Sequence, residues 1–349
     1  MTGTPENPHG DNLEAIAWAS MSPPGHGKSH DMLATYGARA IYVVKDLRGV
    51  RMAKALGIKL DTRHPAKGGQ VLVTKDPGQI TKLAKFYRKK YGKVPFHKRP
   101  YIAFAIDEFS GIFKRREQAL FEEFGDSKLS NMLVYGAVKQ EGVAIINSLL
   151  DLDCHVHGTF EYAGVKMRED KGIGEVRVKA QADLPGRQLG PALAYAFDVI
   201  ASLRKAPERY PYPVEFTRDH ASEDVEDKDR LNVLTHSTPL CTREILLSQG
   251  FWLPPFRSEG EERYIDTLTE KVQALLDPSD PDELQGLLRQ EARKRVTPAR
   301  PLSVVTNTFY RAVCRAELRR SPDFYASLLG EEGDNDAADD ADNTTTEEE

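Results

Sequence analysis

The sequence predicts an α/β protein in which a mostly parallel sheet is covered by helices on both faces. A helical C-terminal region and an acidic tail follow it. Three observations lead there. Apolar, β-branched runs alternate with helix-patterned stretches from residue 13 to about 205. One run, YIAFAIDEF (101–109), is nearly continuous and closes on two acids, as a strand buried on both faces reads. A glycine-rich loop ending in Lys28-Ser29 stands between the first strand and the first helix.

The elements follow in order. Residues 1–12 are polar and contain Pro, Gly and Asn, which predicts a flexible arm. AIAWASM (15–21) is the first strand. SHDMLATYG (29–37) is a helix stopped by Gly37. AIYVVKD (40–46) is β-branched and extended, RGVRMAKAL (48–56) is helical, and QVLVTKD (70–76) is a strand. Residues 77–92 open on Pro77, repeat apolar residues at Ile80, Leu83, Phe86 and Tyr87, and stop at Gly92, so a helix with both end signals is expected. After the 101–109 strand comes a long helix over 128–150. HVHGTFEYAGV and EVRVKAQ read as later strands. Tyr210, Tyr212 and Phe216 alternate as strand positions and suit packing better than a base-stacking platform.

From 242 to 330 the pattern is helical. Tyr264, Ile265, Leu268, Val272, Leu275 and Leu276 share one face, and Asp280-Pro281-Asp282-Glu283 reads as an N-cap, a first-turn proline and a capping box. Ser321-Pro322 starts one more helix. The expected organisation is a flexible arm (1–12), an α/β core (13–232), a helical region (233–330) and a disordered acidic tail (331–349).

Composition narrows the class. No apolar run reaches the roughly 18–20 residues that span a bilayer. MTGTPENPHGDNLEAIAW lacks the basic and apolar regions of a secretory signal. Three widely spaced cysteines, Cys154, Cys241 and Cys314, argue against a disulfide framework and a cysteine-type zinc site. His155 and His157 share a strand face but lack a third ligand nearby in sequence, so zinc is not expected there. These features predict a soluble protein of a reducing, cytoplasmic compartment with no membrane partner. The net charge of −5 conceals an asymmetry: the tail holds ten acids and no base, while the other 330 residues carry 48 basic against 43 acidic residues. A mildly basic body with such a tail is compatible with nucleic-acid work; the tail either competes with nucleic acid for the basic body, recruits a basic partner, or serves solubility.

Two motifs carry chemistry. Ser22-Pro23-Pro24-Gly25-His26-Gly27-Lys28-Ser29 has P-loop spacing, with Ser22 where the first glycine is usual. Gly25 and Gly27 permit a loop whose N–H groups turn inward toward phosphate oxygens, and the next helix offers its positive end. Residues Ser22 to His30, including His26, are the predicted ATP-binding set. Lys28 supplies charge to the β- and γ-phosphates, and Ser29 a hydroxyl to Mg²⁺. In the second motif an apolar strand delivers Asp107 and Glu108, as a Walker B strand does. Asp107 is the expected second Mg²⁺ residue, and Glu108 the group that orients or deprotonates water. A polar residue on the neighbouring strand could sense the γ-phosphate; His157, Thr159 and Glu161 are the candidates.

With these motifs in order, the chain resembles phage-encoded nucleotide-binding P-loop proteins of RecA-like type, many of which serve DNA recombination and single-strand annealing. The likeness rests on SPPGHGKS, IAFAIDE, ADLPGRQLGPALAYAFDVIASLR (182–204) and VEDKDR (225–230), and covers about residues 13–232. It implies a RecA-like P-loop NTPase core, ATP and Mg²⁺ as cofactors, single-stranded DNA as a partner, assembly into a homo-oligomer, and a host-cytoplasmic location. Two departures stand out: Ser22, and about 110 further residues where relatives often end. A nucleic-acid motor, such as a helicase loader or packaging ATPase, is the second reading. A nucleotide-gated interaction protein without hydrolysis is the third, with the helical region or the tail binding a protein partner. Lys82 to Lys90 is either a solvated basic face or a phosphate track. Lys228 and Arg230 either belong to a charged loop or supply a cation to a neighbouring subunit's γ-phosphate.

Overall fold

The computed structural model describes residues 15–125, 127–163, 166–170, 174–178, 181–184, 196–205, 214–217, 228–230, 238–239, 241–254, 259–275, 281–298 and 300–320. The predicted flexible arm, the acidic tail, the Ser321-Pro322 helix start, Tyr210 and Tyr212 lie outside them.

The first half alternates strand and helix as the sequence pattern requires: β1 (Ala17–Met21), α1 (Lys28–Tyr36), β2 (Ala40–Val44), α2 (Arg48–Ala55), β3 (Val71–Val73), α3 (Pro77–Tyr91), β4 (Ala103–Ile106), α4 (Phe109–Phe124), α5 (Lys128–Leu150) and β5 (His155–Phe160). The end signals act where they stand. Gly37 closes α1. Asp76 caps α3 by accepting the Gly78 N–H, with Pro77 in the first turn, and Ser127 caps α5. Helix α4 had no separate expectation in the sequence; its Phe109, Ile112 and Phe113 are fully buried and continue the apolar run of β4.

The later strands are β6 (Tyr162–Ala163), β7 (Lys166–Asp170), β8 (Gly174–Val178), β9 (Gln181–Ala182), β10 (Val199–Lys205), β11 (Val214–Thr217), β12 (Lys228–Asp229) and β13 (Thr238–Pro239). The main sheet runs β13-β11-β10-β1-β5-β4-β2-β3, with β12 also on β10. From β10 to β3 all six strands are parallel. β11, β12 and β13 extend that edge antiparallel. The HVHGTFEYAGV run enters the sheet only as β5. Beyond it, β6 pairs with β9 and β7 with β8 as separate antiparallel pairs.

Strands β1, β2, β4 and β5 are buried along their whole length, which explains their uninterrupted apolar character. Helices α3, α4 and α5 pack on one another. Helix α1 packs on α2 and on α6 (Thr242–Ser248). The chain passes from β1 to β2 and β3 in one direction across the sheet, then returns through β4 to β5. Right-handed crossovers put these two helix groups on opposite faces. A second apolar cluster, around Ile265, Leu268, Val272, Leu288, Phe309 and Val313, joins α7 (Glu259–Gln273), α8 (Pro281–Arg295) and α9 (Leu302–Arg320). Pro281 begins α8, as its first-turn role requires. No helix among the described residues is long and apolar enough to cross a membrane.

Candidate nucleotide site

Strand β1 is wholly buried and delivers Ser22, itself fully buried, to the loop that precedes α1. The loop turns on two glycines with positive φ, Gly25 at 81° and Gly27 at 85°, a region open to glycine at little cost. Gly25 has open space where a Cβ would stand. Lys28 folds back over the loop. Its Nζ donates to the Ser22 carbonyl at 2.7 Å, to Ser22 Oγ at 2.9 Å and to the Pro23 carbonyl at 3.0 Å. Serine in place of glycine thus has a use: its hydroxyl is an acceptor for the lysine. Burial lowers the Lys28 pKa to about 8, against the opposing pull of Glu161 and Asp107. His26 lies on the exposed loop with Nδ1 3.3 Å from the Pro24 carbonyl. His30 sits in the first turn of α1, where burial lowers its pKa.

The second motif arrives from β4, one strand removed from β1. Asp107 is buried, and its backbone N–H is fixed by the Val43 carbonyl. Ser29 Oγ donates to Asp107 Oδ1 at 2.7 Å, and Thr159 Oγ1 donates to the same oxygen at 2.8 Å. Burial raises the Asp107 pKa, opposed by these two hydroxyls and by the Lys28 and Lys45 charges. The Glu108 N–H donates to Thr159 Oγ1 at 2.8 Å. Glu108 is the one described non-glycine residue with positive φ, 53°. This left-handed turn between β4 and α4 sends its side chain to an ion pair with Lys45.

These groups open on a cleft of about 260 Å³ lined by Ser29, Lys45, Asp46, Arg48, Gly49, Met52, Asp107 and Glu108. Gly49 is needed there, because a Cβ at that position would lie 2.8 Å from Asp107 Oδ2. A hydroxyl and a carboxylate oxygen converging from Ser29 and Asp107 form a hard-oxygen donor pair of the type that suits Mg²⁺.

The three proposed sensors separate. Thr159 touches both Asp107 and Glu108. His157 is fully buried beside Ser20, whose Oγ is 3.1 Å from Nε2, and it faces the Tyr36 ring. Glu161 pairs with Lys114, at 3.4 Å. His155 has its own partners: Nδ1 accepts the Ile16 N–H, and Nε2 lies 3.3 Å from the Trp252 carbonyl. Lys228 and Asp229 pair with Ile200 and Val199 at the start of β10. The Arg230 N–H donates to the Asp198 carbonyl at 3.1 Å. Since β1 and β10 run parallel, this segment lies at the sheet end opposite the phosphate-type loop of its own chain. Lys45 and Gly49 belonged to no sequence motif. The available signal was position: a residue just past a parallel strand's C-terminal end faces the ligand edge of such sheets.

No protein-family model and no curated protein matches the chain. Among solved structures, a KaiC-like protein from the hyperthermophilic archaeon Pyrococcus horikoshii OT3 is similar over 60% of this chain and 80% of that one, at 12% identity and a TM-score of 0.35. At so low an overlap the chain's own sheet carries the assignment. It is an α/β protein with six parallel strands between helical layers and the loop strand one strand away from the acid-bearing strand.

Proposed function

We propose that this protein binds ATP with Mg²⁺, hydrolyses it, and acts on DNA, in recombination or strand annealing. One observation carries the nucleotide reading: Ser29 and Thr159 converge on Asp107 Oδ1 at the mouth of a loop already turned by Gly25 and Gly27. Ser29 and Asp107 would hold Mg²⁺, which offsets phosphate charge as the transferred group leaves. Residues Ser22 to His30 wrap the phosphates through backbone N–H groups, and Lys28 turns from the loop carbonyls to the phosphates. Thr159 is the candidate γ-phosphate sensor that also touches Asp107. Glu108 orients water and takes its proton.

The nucleic-acid part is supported by charge segregation. Residues 77–106 contain eight Lys or Arg and no Asp or Glu. Lys82, Lys85, Lys89, Lys90, Lys93 and Lys98 in that stretch are exposed. Such a face suits a phosphodiester backbone, bound in a salt-dependent manner. Turnover measured with and without single-stranded and duplex DNA tests the whole reading. Lys28→Ala should weaken ATP binding, and Glu108→Gln should keep binding while slowing turnover by about 10²-fold or more. ATP binding by the Lys28→Ala protein equal to wild type overturns it.

The homo-oligomer and the trans cation belong to the same proposal. Arg230 is exposed and far from its own loop, a placement that suits a role toward a neighbouring copy. Lys28→Ala and Arg230→Ala proteins should each be inactive and should recover turnover when mixed. A mixture that exchanges subunits yet stays inactive removes Lys228 and Arg230 from the site.

A further inference from the structure

Lys45 follows β2 and stands in the middle of the strand-end crevice. Its ammonium is ion-paired with Glu108, and both side chains line the cleft that also holds Ser29 and Asp107. On its other side Lys45 borders a second cleft, with Thr74, Gln79 and Arg116. Its stem therefore has room to swing. The side chains of Lys45 and Glu108 are 25% and 38% exposed, so neither is locked by packing. Gly111 adds no obstruction, since even a Cβ there would stand 3.6 Å from Lys45 Cδ and 3.7 Å from Glu108 Oε2.

The cations of this crevice are all engaged. Lys28 is held by Ser22 and Pro23, Arg48 by Asp46 at 2.7 Å, and Lys45 by Glu108. The last of these pairs conflicts with catalysis. A carboxylate oxygen held by an ammonium is not free to take up and orient a water. A third phosphate would change the balance. It brings about two negative charges to the cleft that Lys45 already lines, and an ammonium on a four-carbon stem can follow them.

We propose that Lys45 is a nucleotide-gated latch on Glu108. It holds the carboxylate while the site lacks a γ-phosphate; ATP draws the ammonium onto that phosphate and frees Glu108. The water oxygen then bonds to Pγ. The bond from Pγ to the β,γ-bridging oxygen breaks with its electron pair remaining on ADP. The water proton passes to Glu108 and from there to the released phosphate. ADP lacks the group that opens the latch, so Lys45 binds the γ-phosphate and releases Glu108 only in the triphosphate state. This inference rests on the ATPase reading above.

The test measures ATP and ADP affinity calorimetrically, with Mg²⁺, on the full chain. Lys45→Met should weaken ATP about tenfold while ADP changes by less than about twofold. Lys45→Arg should keep most of the discrimination. Glu108→Gln should tighten ATP several-fold, because the lysine no longer has to leave an anion, and this gain should vanish in the Lys45→Met background. Circular dichroism and melting check that each variant is folded. Equal losses of ATP and ADP in Lys45→Met, or a Glu108→Gln gain that persists without Lys45, would overturn the latch and leave the ATPase reading standing. A wild-type protein that binds neither nucleotide would remove that reading and the latch with it.

Discussion

Lys28 at rest is an amine in a partly dry place, and its pKa of about 8 has a functional consequence. Phosphate in the loop must raise that pKa, because the ammonium gains a far stronger anion than two carbonyls and a hydroxyl. Linkage fixes the sign. ATP affinity is at its full value below about pH 8 and falls above it, by up to about tenfold per pH unit, as the free lysine loses its proton. Lys28→Arg should bind ATP with no such fall, since a guanidinium stays charged to above pH 12. Calorimetry from pH 7 to 10 reads the difference, and a flat wild-type profile would contradict it. At this scale the sequence displayed the residues that form contiguous motifs: SPPGHGKS and the Asp107-Glu108 pair could be read by spacing. Lys45, Gly49 and the choice of Thr159 over its neighbours could not. They enter through register and crossover, which bring β2 and β5 beside β4 and leave no trace in local sequence.

At the scale of elements, α1 is held from both ends. Its start is the phosphate-type loop. One turn on, Asp31 accepts from the Thr242 N–H at 3.0 Å and from Thr242 Oγ1 at 2.6 Å, while Arg243 donates to the Thr35 carbonyl at 2.9 Å. Burial raises the Asp31 pKa to about 6, opposed by the two Thr242 hydrogen bonds. The folded state therefore gains from Asp31 protonation below about pH 4 and loses that gain as pH rises through about 6. His155 and His157 act in the opposite direction. Burial holds them at about 4 and about 3, so their contribution is present above 6.5 and lost on acidification. Two histidines outweigh one aspartate, and wild-type stability should fall between pH 6.5 and 4.5. Asp31→Asn keeps an acceptor for the N–H and offers a donor to Thr242 Oγ1, yet removes the compensating titration. Its loss over that range should exceed wild type by about 1–2 kcal/mol. Urea midpoints at the two pH values measure this, and a smaller loss in the variant would reverse the assignment. Most single elements were legible, because end signals and periodicity act locally: Gly37 stops α1, and Pro77 and Gly92 bound α3, as read from the sequence. Partnership was not. Nothing near Asp31 announces a threonine 211 residues away, and the antiparallel pairs after β5 share a strand pattern with β5 itself.

At the scale of the molecule, a buried ionic network joins the helical region to the α/β core through α6. Arg311 Nε donates to Glu244 Oε1 at 2.6 Å and Arg315 Nε to Glu244 Oε2 at 2.8 Å; both arginines continue to Glu262, and Arg315 reaches Asp266. Burial alone would raise the Glu244 pKa, but Arg311 and Arg315 overcome it and hold the carboxylate ionised. The side chains of Arg311 and Glu244 are 3% and 2% exposed, so neither can exchange its partner for water. Glu244 is two residues from Thr242, which grips α1, and Ser303 Oγ of α9 donates to the Ala55 carbonyl at the end of α2, at 2.6 Å. The helical region is thus wired to both helices that flank the candidate nucleotide cleft. Removing Glu244 leaves the buried Arg311 and Arg315 sharing Glu262 and Asp266, one carboxylate short, which costs up to about 3–5 kcal/mol, more than the pair contributes relative to an apolar replacement. Glu244→Ala should lower unfolding free energy by that amount. It should also loosen α1 and weaken ATP, although Glu244 does not line the cleft. Glu244→Ala combined with Arg311→Met and Arg315→Met should recover much of the stability, because the buried guanidiniums leave with their shared carboxylate, while Glu262 keeps Arg243 at 3.9 Å and Asp266 keeps Arg319 at 3.2 Å. Denaturant unfolding of the single and triple variants, with ATP affinity measured on each, reads both effects. If Glu244→Ala unfolds like wild type, or if the triple variant is less stable than the single one, the network does not bind the two parts together.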